Sequence, residues 1–428
     1  MKRFFLFVLF SLFLSLASFS QDTLVVLQYN LLNYGNYTSY CTSGNNNVSK
    51  KDGYIQTIVQ YVKPDIFSVN EMVAEEAMME HLRGKLNNTW TNQYKRPAFI
   101  SENADYIANT IYYNSEKLGF HSQYIAQTFI RDVNIYKFYY RSPSLKYGDT
   151  DTIFLYCVVA HLKAGSDSYD TRKIMAENTM NYIAGLDPEA NYLLMGDFNL
   201  YSDQEQAWKA FTMNNNNIIN FNDPVNQSGH WHNNSQYSDY HTQSTHASFN
   251  SCAAGGGMDD RFDFILISNN IKKGSKRIQY VANSYWAVGQ DGKHFNKSIL
   301  DAPTNHSVPS EVLTALYKNS DHLPVTLKLA VGGTIGIEEQ KNTSFGALII
   351  VNPVNNKLLK ASFYSNRVQK AILTLYDFTG KRYFVKVLHA SKGKNTFSFP
   401  LETLSSGIYI VKLTDEKGFF KTAKVIIP

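Results

Sequence analysis

The sequence predicts a mixed α/β unit followed by a smaller all-β unit. Between residues 22 and 331, short apolar segments typical of strands alternate with segments that have the apolar spacing of helices. Polar, chemically capable residues follow the ends of several of these strands, where α/β folds place their sites. After residue 345 the helical spacing ends, and short β-type segments recur between turns. The length of 428 residues agrees with about two or three domains.

Residues 1–20 have the pattern of a secretory signal peptide. A basic start, Met1–Arg3, is followed by the apolar run Phe4–Ala17 and then by small residues up to Gln21. The alternative is a membrane anchor, which requires about 20 apolar residues and therefore more than this run provides. We expect cleavage before Gln21, export through the periplasm, and a mature protein that is secreted or held at the cell surface.

The α/β unit is predicted over residues 21–331. Its strands are expected at Leu24–Gln28, Ile66–Val69, Ile107–Tyr113, Ile153–Ala160, Tyr192–Met195, Phe262–Ile267 and Val325–Leu329. Its helices are expected at Tyr54–Val62, Ala74–Leu86 and Tyr169–Ile183. The long stretch 214–257 is rich in Asn, Ser and Gly and carries histidines at positions 230, 232, 241 and 246. Because no zinc-type spacing of cysteines or acids accompanies them, we expect a polar, substrate-facing loop and not a dedicated metal site.

Charge is distributed unevenly along the chain. The formal net charge is +5, but residues 22–334 carry −5 and residues 335–428 carry +8. A mildly acidic α/β unit argues against a broad phosphate-binding face there, although a local basic groove stays open.

The three cysteines lie in two kinds of surroundings. Cys157 sits in an apolar run and is expected to be a buried thiol, whereas Cys41 and Cys252 lie in polar stretches. An exported chain permits a disulfide between these two, and the sequence leaves open whether they are paired or free.

Polar residues at the strand ends offer the chemistry that phosphodiester hydrolysis requires. A hard cation such as Mg²⁺ needs carboxylate ligands, and the attacking water needs a carboxylate that orients or deprotonates it. The developing negative charge needs Asn or His donors, and the leaving oxygen needs a proton. Asp263 gives a further sign, because an acid inside the apolar strand Phe262–Ile267 is costly unless a histidine or a cation pairs with it.

The α/β unit resembles the endonuclease/exonuclease/phosphatase superfamily, which includes deoxyribonuclease I, neutral sphingomyelinases and inositol phosphatases. The resemblance spans roughly residues 24–330 and rests on six segments in the family's order: Gln28-Tyr-Asn30, Asn70-Glu71, Ala160-His161-Leu162, Gly196-Asp-Phe-Asn199, Arg261-Phe-Asp263 and Ser320-Asp-His322. Gly-Asp-Phe-Asn and Ser-Asp-His-Leu-Pro-Val are specific signals, whereas Asn-Glu and His-Leu alone are weak. The resemblance implies the four-layer αββα sandwich of the deoxyribonuclease I-like type.

The resemblance also implies a role for each site residue. Asn30, Glu71 and Asp321 are expected to form the metal shell for Mg²⁺, with Mn²⁺ or Ca²⁺ as alternatives. Asp197 is expected to position or deprotonate the attacking water. Asn199 and His161 are expected to bind the phosphate and its transition state. His322 is the expected acid/base histidine, and Asp263 is expected to hold it in orientation.

The C-terminal unit, residues 345–428, follows a predicted linker at 332–344 and is expected to be a small β-sandwich. Its strands are expected at Leu348–Val351, Ala371–Tyr376, Tyr383–Leu388, Thr396–Phe399, Ile408–Leu413 and Ala423–Ile427. Three segments resemble the type A C-terminal sorting domain of type IX secretion: Asn352-Pro-Val-Asn-Asn-Lys-Leu358, Leu375-Tyr-Asp-Phe-Thr-Gly-Lys381 and Leu404-Ser-Ser-Gly-Ile-Tyr-Ile410. The resemblance implies the type IX secretion machinery as a partner, and the alternative is an ordinary β-sandwich binding module.

These observations predict a secreted, Mg²⁺-dependent and monomeric phosphodiesterase that acts outside the cell as a nuclease on DNA or RNA. One alternative is a lipid phosphodiesterase of the sphingomyelinase or phospholipase C kind, which would need an exposed apolar tip such as Tyr285-Trp286. Another is a catalytically inactive, exported binding module, and a phosphomonoesterase would use the same metal chemistry. The basic pairs Lys272-Lys273 and Lys276-Arg277 are expected to form a solvated hairpin.

Overall fold

The fold was obtained as a computed structural model. It describes residues 22–103, 106–141, 152–213, 219–332, 344–346, 348–354, 357–377, 381–401, 404–416 and 420–428. The predicted signal peptide and all but the two ends of the predicted linker lie outside these residues. The chain divides into two compact units, Met1–Thr334 and Ile335–Pro428. Within the described ranges, no helix is long and apolar enough to cross a membrane.

The N-terminal unit mixes strands and helices along its length. Its strands are β1 (Asp22–Tyr34), β2 (Ile66–Val73), β3 (Tyr94–Lys95), β4 (Ile107–Asn114), β5 (Leu118–Gln127), β6 (Val133–Tyr140), β7 (Phe154–His161), β8 (Asn191–Asp197), β9 (Phe221–Asn222), β10 (Asp263–Ser268), β11 (Ile278–Tyr280), β12 (Trp286–Ala287) and β13 (Val325–Val331). Its helices are α1 (Val48–Val62), α2 (Glu76–Leu86), α3 (Tyr169–Leu186), α4 (Gln206–Thr212), α5 (Asn269–Lys273) and α6 (Ser310–Asn319).

These strands form two sheets. The first has the order β11-β13-β1-β2-β4-β3, with β12 also paired to β13, and the second has the order β5-β6-β7-β8-β10-β9. β1 and β2 run parallel, as do β7 and β8. The carboxyl ends of two neighbouring strands therefore lie together in each sheet, and the side chains that follow them share one edge.

The two sheets pack face to face, and helices cover both outer faces. The central apolar layer joins side chains such as Val26 and Leu327 of the first sheet to Cys157 and Met195 of the second. On the outer face of the first sheet, the core is shared with α1, α2 and α6; on that of the second, with α3 and α4. Each strand thus buries one face between the sheets and one under helices, because successive side chains alternate in direction. The predicted four-layer αββα sandwich is confirmed.

The structure extends the predicted elements. β5 and β6 were missed, although they complete the second sheet, because Gly, Gln and His interrupt the apolar alternation of β5. Helix α6 was also missed. The stretch 214–257 is not a solvent-facing loop as a whole, since Trp231, His241 and Thr245 within it are completely buried. Its polar groups are satisfied internally, for example by the bond from the Trp231 indole N–H to the Leu200 carbonyl (2.6 Å).

The C-terminal unit is all β in its described residues. Its strands are β14 (Ile349–Ile350), β15 (Leu358–Ser365), β16 (Gln369–Asp377), β17 (Arg382–Ala390), β18 (Gly393–Pro400), β19 (Gly407–Asp415) and β20 (Phe420–Ile427). They form the sheets β14-β15-β18 and β17-β16-β19-β20. One apolar core contains side chains from both sheets, among them Leu359, Phe363, Leu373 and Val411. The predicted small β-sandwich is therefore confirmed, and β15 adds a strand that the sequence reading missed.

Candidate active site

The strand registers bring the predicted site residues to one place. In the first sheet, Asn30 on β1 is paired with Asn70 on β2, next to Glu71. In the second sheet, Asp197 on β8 is paired with His161 on β7 and with Asp263 on β10. The two groups meet directly, because the Asn30 amide of the first sheet contacts the Asp197 carboxylate of the second.

Asn30 joins two carboxylates. Its Nδ2 donates to Glu71 Oε1 (3.1 Å) and to Asp197 Oδ2 (3.0 Å), and its Oδ1 accepts from the backbone N–H of Leu32 (2.9 Å). The amide therefore holds the two acids together and turns its oxygen toward the backbone. The metal-ligand role predicted for Asn30 requires this amide to turn, and it stays a prediction.

Glu71 is aimed into the site by an irregular backbone. The pairing of β2 with β4 shifts register between Val69 and Met72, and Glu71 has a φ of 55°, which only a minority of residues other than glycine adopt. Its second carboxylate oxygen accepts from the backbone N–H of Asn33 (3.1 Å). Such strain costs on the order of 1 kcal/mol or more and is typical of functional positions.

Asp197 and Asn199 follow a close approach between β7 and β8. Gly196 has a φ of 148°, and a Cβ there would lie 1.7 Å from the carbonyl oxygen of Ala160, so only glycine fits. Beyond it, Asp197 Oδ1 accepts from the Asn199 N–H (3.0 Å), and the Asn199 side chain donates to the carbonyl of Leu162 (3.2 Å). Asn199 has a φ of 49°. The turn thus requires glycine at position 196, and the positive φ at position 199 suits asparagine.

His322 and Asp263 form a buried pair. His322 Nδ1 lies 2.7 Å from Asp263 Oδ2, and both side chains are almost completely buried. Nε2 of His322 lies 3.8 Å from Asp197 Oδ2 and 3.9 Å from Asp321 Oδ1. The buried charge of Asp263 therefore has the histidine partner that its apolar strand required.

Burial and neighbouring charges give the titratable groups different protonation states. Burial, together with the charges of Arg131 and His322, holds the pKa of His161 well below its usual value. Burial raises the pKa of Asp197 to about 7, while the charge on His322 opposes this rise. For His322, burial favours the neutral ring, but the carboxylates around it outweigh burial and raise its pKa well above the usual value. The site thus combines a neutral histidine, a charged one and an acid that titrates near neutral pH.

A divalent cation fits the acidic part of this cluster. One ligand atom from each of Glu71, His161 and Asp197 lies within 4.8 Å of the other two. Asp321 Oδ1 is buried and accepts no hydrogen bond within the described residues, so it has a free lone pair beside the cluster. Carboxylates suit Mg²⁺ and Mn²⁺, whereas the nitrogen of His161 suits Mn²⁺ or Zn²⁺ better than Mg²⁺.

Three supporting residues have roles that the sequence analysis did not predict, although Asn70 was named there beside Glu71. Asn70 Oδ1 accepts from the backbone N–H of Asp197 (3.0 Å), which ties the two sheets together beneath the cluster. Lys51 is buried and donates to the carbonyls of Leu31 and Leu32 and to Asn46 Oδ1, just after Asn30. Burial lowers its pKa to about 7, against the charges of Asp321 and Glu71. A lysine within an amphipathic helix gave no signal of this role.

Gln243 is the third of these residues, and it contacts His322. Its Nε2 lies 2.7 Å from His322 Nε2. A side-chain amide can form a hydrogen bond with Nε2 in either protonation state of the ring. Its N–H donates to an unprotonated nitrogen, and its oxygen accepts from a protonated one. The contact comes from the polar stretch 214–257, where no local pattern distinguished Gln243 from its polar neighbours.

A disulfide connects the loop that follows β1 to the loop that carries Cys252. Cys41 and Cys252 are bonded, which settles the pairing that the sequence left open, and Cys157 is a buried free thiol as predicted. The end of β1, eight residues before Cys41, provides the Asn33 N–H to Glu71, and the loop that carries Cys252 provides the Ala254 N–H to Asp321 Oδ2 (2.8 Å).

Two arginines hold the loops on the second sheet. Arg131 Nη1 donates to the Leu162 carbonyl (3.2 Å), next to His161. Arg172 is completely buried; it pairs with Glu205 and donates to the carbonyls of Lys163 and Gly165. Both arginines therefore stabilise the chain that leaves β7.

Two sequence features lie away from this cluster. Tyr285 is 9% exposed and belongs to the core between the sheets, and Trp286 packs against the core under the helices, so the pair is not an exposed tip. Lys272 and Lys273 end helix α5, beyond the far end of β10 from Asp263. The length of β10, about 16 Å, therefore separates these lysines from Asp263 and the site.

The site is a carboxylate, histidine and amide cluster at the strand ends of a four-layer αββα sandwich. Among solved structures, the chain is similar to a humanized D. rerio TDP2 with 14 mutations (14% identity, 72% of this chain, 99% of that chain, TM-score 0.45). It is similar to an endonuclease/exonuclease/phosphatase family protein from Bacteroides thetaiotaomicron (14% identity, 73% and 99%, TM-score 0.43). A mannosyl-6-phosphatase from B. thetaiotaomicron VPI-5482 is also similar (13% identity, 72% and 99%, TM-score 0.43).

The C-terminal unit is identified by its sequence. Residues 351–428 match the family of secretion system C-terminal sorting domains. The chain therefore carries a signal for export to the cell surface or the medium. No curated protein matches the sequence.

Proposed function

We propose that the N-terminal unit is a metal-dependent phosphodiesterase that acts as an extracellular nuclease. The observation that carries this proposal is the Asn30 amide, which holds Glu71 and Asp197 together within reach of His161 and the His322–Asp263 pair. This cluster has a carboxylate for a cation, an acid that titrates near neutral pH, and a charged histidine. The C-terminal sorting domain supports export, and we propose that the type IX machinery performs it.

Each residue has a role in the proposed reaction. Asp197 accepts a proton from water, whose oxygen forms the new bond to phosphorus as the bond to the leaving oxygen breaks. His322 donates a proton to that leaving oxygen, while Asp263 fixes its ring and stabilises its charge. Asn199 and His161 face the oxygens on which negative charge develops. A bound Mg²⁺ or Mn²⁺, held by Glu71 with Asp321 nearby, would supply positive charge to the phosphate.

Exposed aromatic side chains around the cluster support a nucleic-acid substrate. Tyr37 and Tyr40 follow β1, Tyr106 precedes β4 and accepts from the Ala74 N–H, Phe129 precedes Arg131, and Phe249 lies in the loop of Cys252. These five side chains are between 42% and 81% exposed. Bases stack on such rings at about 1–3 kcal/mol each, which compensates for the lack of a broad basic face.

The lipid alternative loses its main support. It required an exposed apolar tip, and of the Tyr285-Trp286 pair proposed for that purpose, Tyr285 is buried and Trp286 is half-buried against the core. The inactive-module alternative is also disfavoured, because the eight residues predicted for the site are all present and converge at one edge of the sandwich.

The test is a set of parallel assays on the full chain with Mg²⁺ or Mn²⁺, and with EDTA as the control. Plasmid DNA, RNA, sphingomyelin liposomes and a sugar phosphate are the substrates. We expect metal-dependent cleavage of nucleic acid and its loss by several orders of magnitude in Asp197→Ala and His322→Ala. An active, folded Asp197→Ala protein would refute the mechanism, and hydrolysis of liposomes or sugar phosphate alone would refute the nuclease.

The stacking residues have their own control. Tyr40→Ala and Tyr106→Ala should weaken binding of single-stranded DNA, measured by fluorescence anisotropy. Tyr61 is equally an exposed tyrosine, but it lies near the end of α1 that precedes β2, away from the cluster. Tyr61→Ala should therefore bind DNA as the unchanged protein does.

A further inference from the structure

A second group of metal-ligating side chains lies outside the proposed active site. His232, Asp259 and Asp260 each offer one ligand atom, and these atoms all lie within 4.8 Å of one another. None of the three belongs to the cluster around Asp197. The sequence analysis named His232 but expected no dedicated metal site in its stretch, because Asp259 and Asp260 lie more than 25 residues further along the chain.

A backbone bulge brings the two acids to the same side. The N–H groups of Asp259 and Asp260 both donate to the carbonyl oxygen of Gln243, each at 2.9 Å. Successive side chains of a regular strand point in opposite directions, whereas two residues opposite a single partner residue change this alternation. The bulge therefore explains how adjacent aspartates both reach His232.

The histidine is held in place beside them. Its Nδ1 lies 2.6 Å from Asp260 Oδ1, and its ring packs edge-on against Tyr201 with 4.9 Å between ring centres. The side chain of His232 is 48% exposed and that of Asp260 is 12% exposed. The group is thus anchored on the protein side and open to solvent, so that a cation can enter and keep a water ligand.

The charges of this group are not balanced by the protein. Within the described ranges, His232 forms an ion pair with Asp260, and no ion pair is found for Asp259. Two acids held so close repel each other, and a divalent cation would neutralise both while it bonds to the imidazole.

We propose that His232, Asp259 and Asp260 form a second metal site that binds a divalent transition metal such as Zn²⁺. One imidazole nitrogen and two carboxylate oxygens favour Zn²⁺ or Mn²⁺ over Mg²⁺ and Ca²⁺, which prefer all-oxygen ligands. Three protein ligands and an open position are the usual arrangement of a Zn²⁺ site that keeps a water or an external ligand.

This site is linked to the proposed active site through Gln243. The Gln243 carbonyl accepts from both aspartates, and its side-chain amide contacts His322. A cation that fixes the Asp259–Asp260 backbone therefore also fixes the residue that contacts the acid/base histidine. Occupancy of the second site is expected to affect turnover through the position of His322, and not through direct contact with substrate.

The test measures metal binding, so it does not depend on catalysis. Untagged full-length protein is titrated with Zn²⁺ by calorimetry in excess Mg²⁺, and the bound metal is counted by elemental analysis after gel filtration. We expect one Zn²⁺ equivalent that remains in Glu71→Gln, a variant of the catalytic cluster. The affinity for this Zn²⁺ equivalent should fall at least tenfold in His232→Ala and in Asp259→Asn. His230→Ala is the matched control, because His230 is an exposed histidine on the same segment, and it should keep the equivalent.

Two results would overturn this site. One is full retention of the Zn²⁺ equivalent in a folded His232→Ala protein. The other needs no variant and comes from crystals of the unchanged protein soaked in Zn²⁺. An anomalous peak should lie about 2.0–2.2 Å from a ring nitrogen of His232. Ordered Zn²⁺ elsewhere with no peak at His232 would refute the proposal even if the variants fail to fold.

Discussion

His322 Nδ1 lies 2.7 Å from Asp263 Oδ2, and this contact joins the two sheets at the edge where the polar cluster lies. Asp263 begins β10 in the second sheet, and His322 precedes β13 in the first. The carboxylates of Asp263, Asp197 and Asp321 raise the pKa of His322 against the effect of burial, so the ring carries its proton at neutral pH. The pair thus provides a structural connection, and in the proposed reaction it is the proton donor.

Asp263→Asn should lower turnover about 100- to 10,000-fold, the usual contribution of general acid–base catalysis. The amide keeps the shape of the side chain but removes the charge that holds the proton on His322. The pKa of His322 should therefore fall, and the alkaline limb of the rate profile should move to lower pH. Asp167→Asn is the control, since Asp167 is an exposed aspartate, and it should leave the profile unchanged. An unshifted profile in Asp263→Asn would contradict this role.

Glu71→Gln should abolish stabilisation of the protein by Mg²⁺. A ligand that binds only the folded state raises its stability by an amount set by the ratio of ligand concentration to Kd. The Tm of the unchanged protein should rise with Mg²⁺ and fall when EDTA is added, whereas Glu71→Gln should show at most a tenth of the Mg²⁺ affinity. Glu189→Gln, at a glutamate whose side chain is 84% exposed, should respond like the unchanged protein. An equal response of Glu71→Gln would exclude Glu71 as a ligand.

The sequence predicted the strand ends of the site because local patterns determine them. Gly196 is required by the approach to Ala160, and the charge of Asp263 required a partner inside an apolar strand. Gln243 and Asp259 could not be predicted, because their roles depend on a bulge and a tertiary contact that no periodicity records. The polar stretch 214–257 was read as exposed, yet its hydrogen bonds are made within the fold, which hydropathy alone does not reveal.

His246 should make the protein less stable in acid. Burial lowers its pKa to about 4 from the ordinary 6.5, and its ring stacks on Tyr317 with 4.0 Å between ring centres. Between pH 4 and 6.5 the unfolded chain binds more protons at this position, so the stabilisation is present above pH 6.5 and is lost as pH falls toward 4. One pKa unit corresponds to about 1.4 kcal/mol, and a loss of about 2 kcal/mol is expected.

His246→Phe keeps an aromatic ring against Tyr317 but cannot bind a proton. The free energy of unfolding in urea is measured for this variant and for the unchanged protein at pH 7 and at pH 4.5. When the pH falls from 7 to 4.5, the difference between them should shift by about 2 kcal/mol in favour of the variant. His306 is exposed, so His306→Phe should differ from the unchanged protein in free energy of unfolding by the same amount at both pH values. Parallel pH dependences for His246→Phe and the unchanged protein would show that His246 is not the titrating group.

Reduction of the Cys41–Cys252 disulfide should weaken metal binding as well as stability. The bond closes a loop of 211 residues, and loss of a native disulfide typically costs about 2–5 kcal/mol. The loop of Cys252 presents the N–H of Ala254 to Asp321, and the loop of Cys41 continues from the end of β1, where the N–H of Asn33 donates to Glu71. When the two loops separate, Asp321 loses a hydrogen bond that orients it toward the cluster, and the end of β1 beside Glu71 loses its tie to the other loop.

The double variant Cys41→Ser, Cys252→Ser should therefore have a lower Tm and, at a temperature where it is fully folded, a Kd for Mg²⁺ several-fold higher than that of the unchanged protein. Cys157→Ser is the matched control for cysteine removal, because Cys157 is a free thiol in the core and takes no part in either loop. It should affect Tm through packing but leave the Kd for Mg²⁺ unchanged. A lower Tm with the same Mg²⁺ affinity in the double variant would contradict this prediction. The disulfide would then have a structural role alone, because separation of the loops would leave the orientation of the carboxylates unchanged.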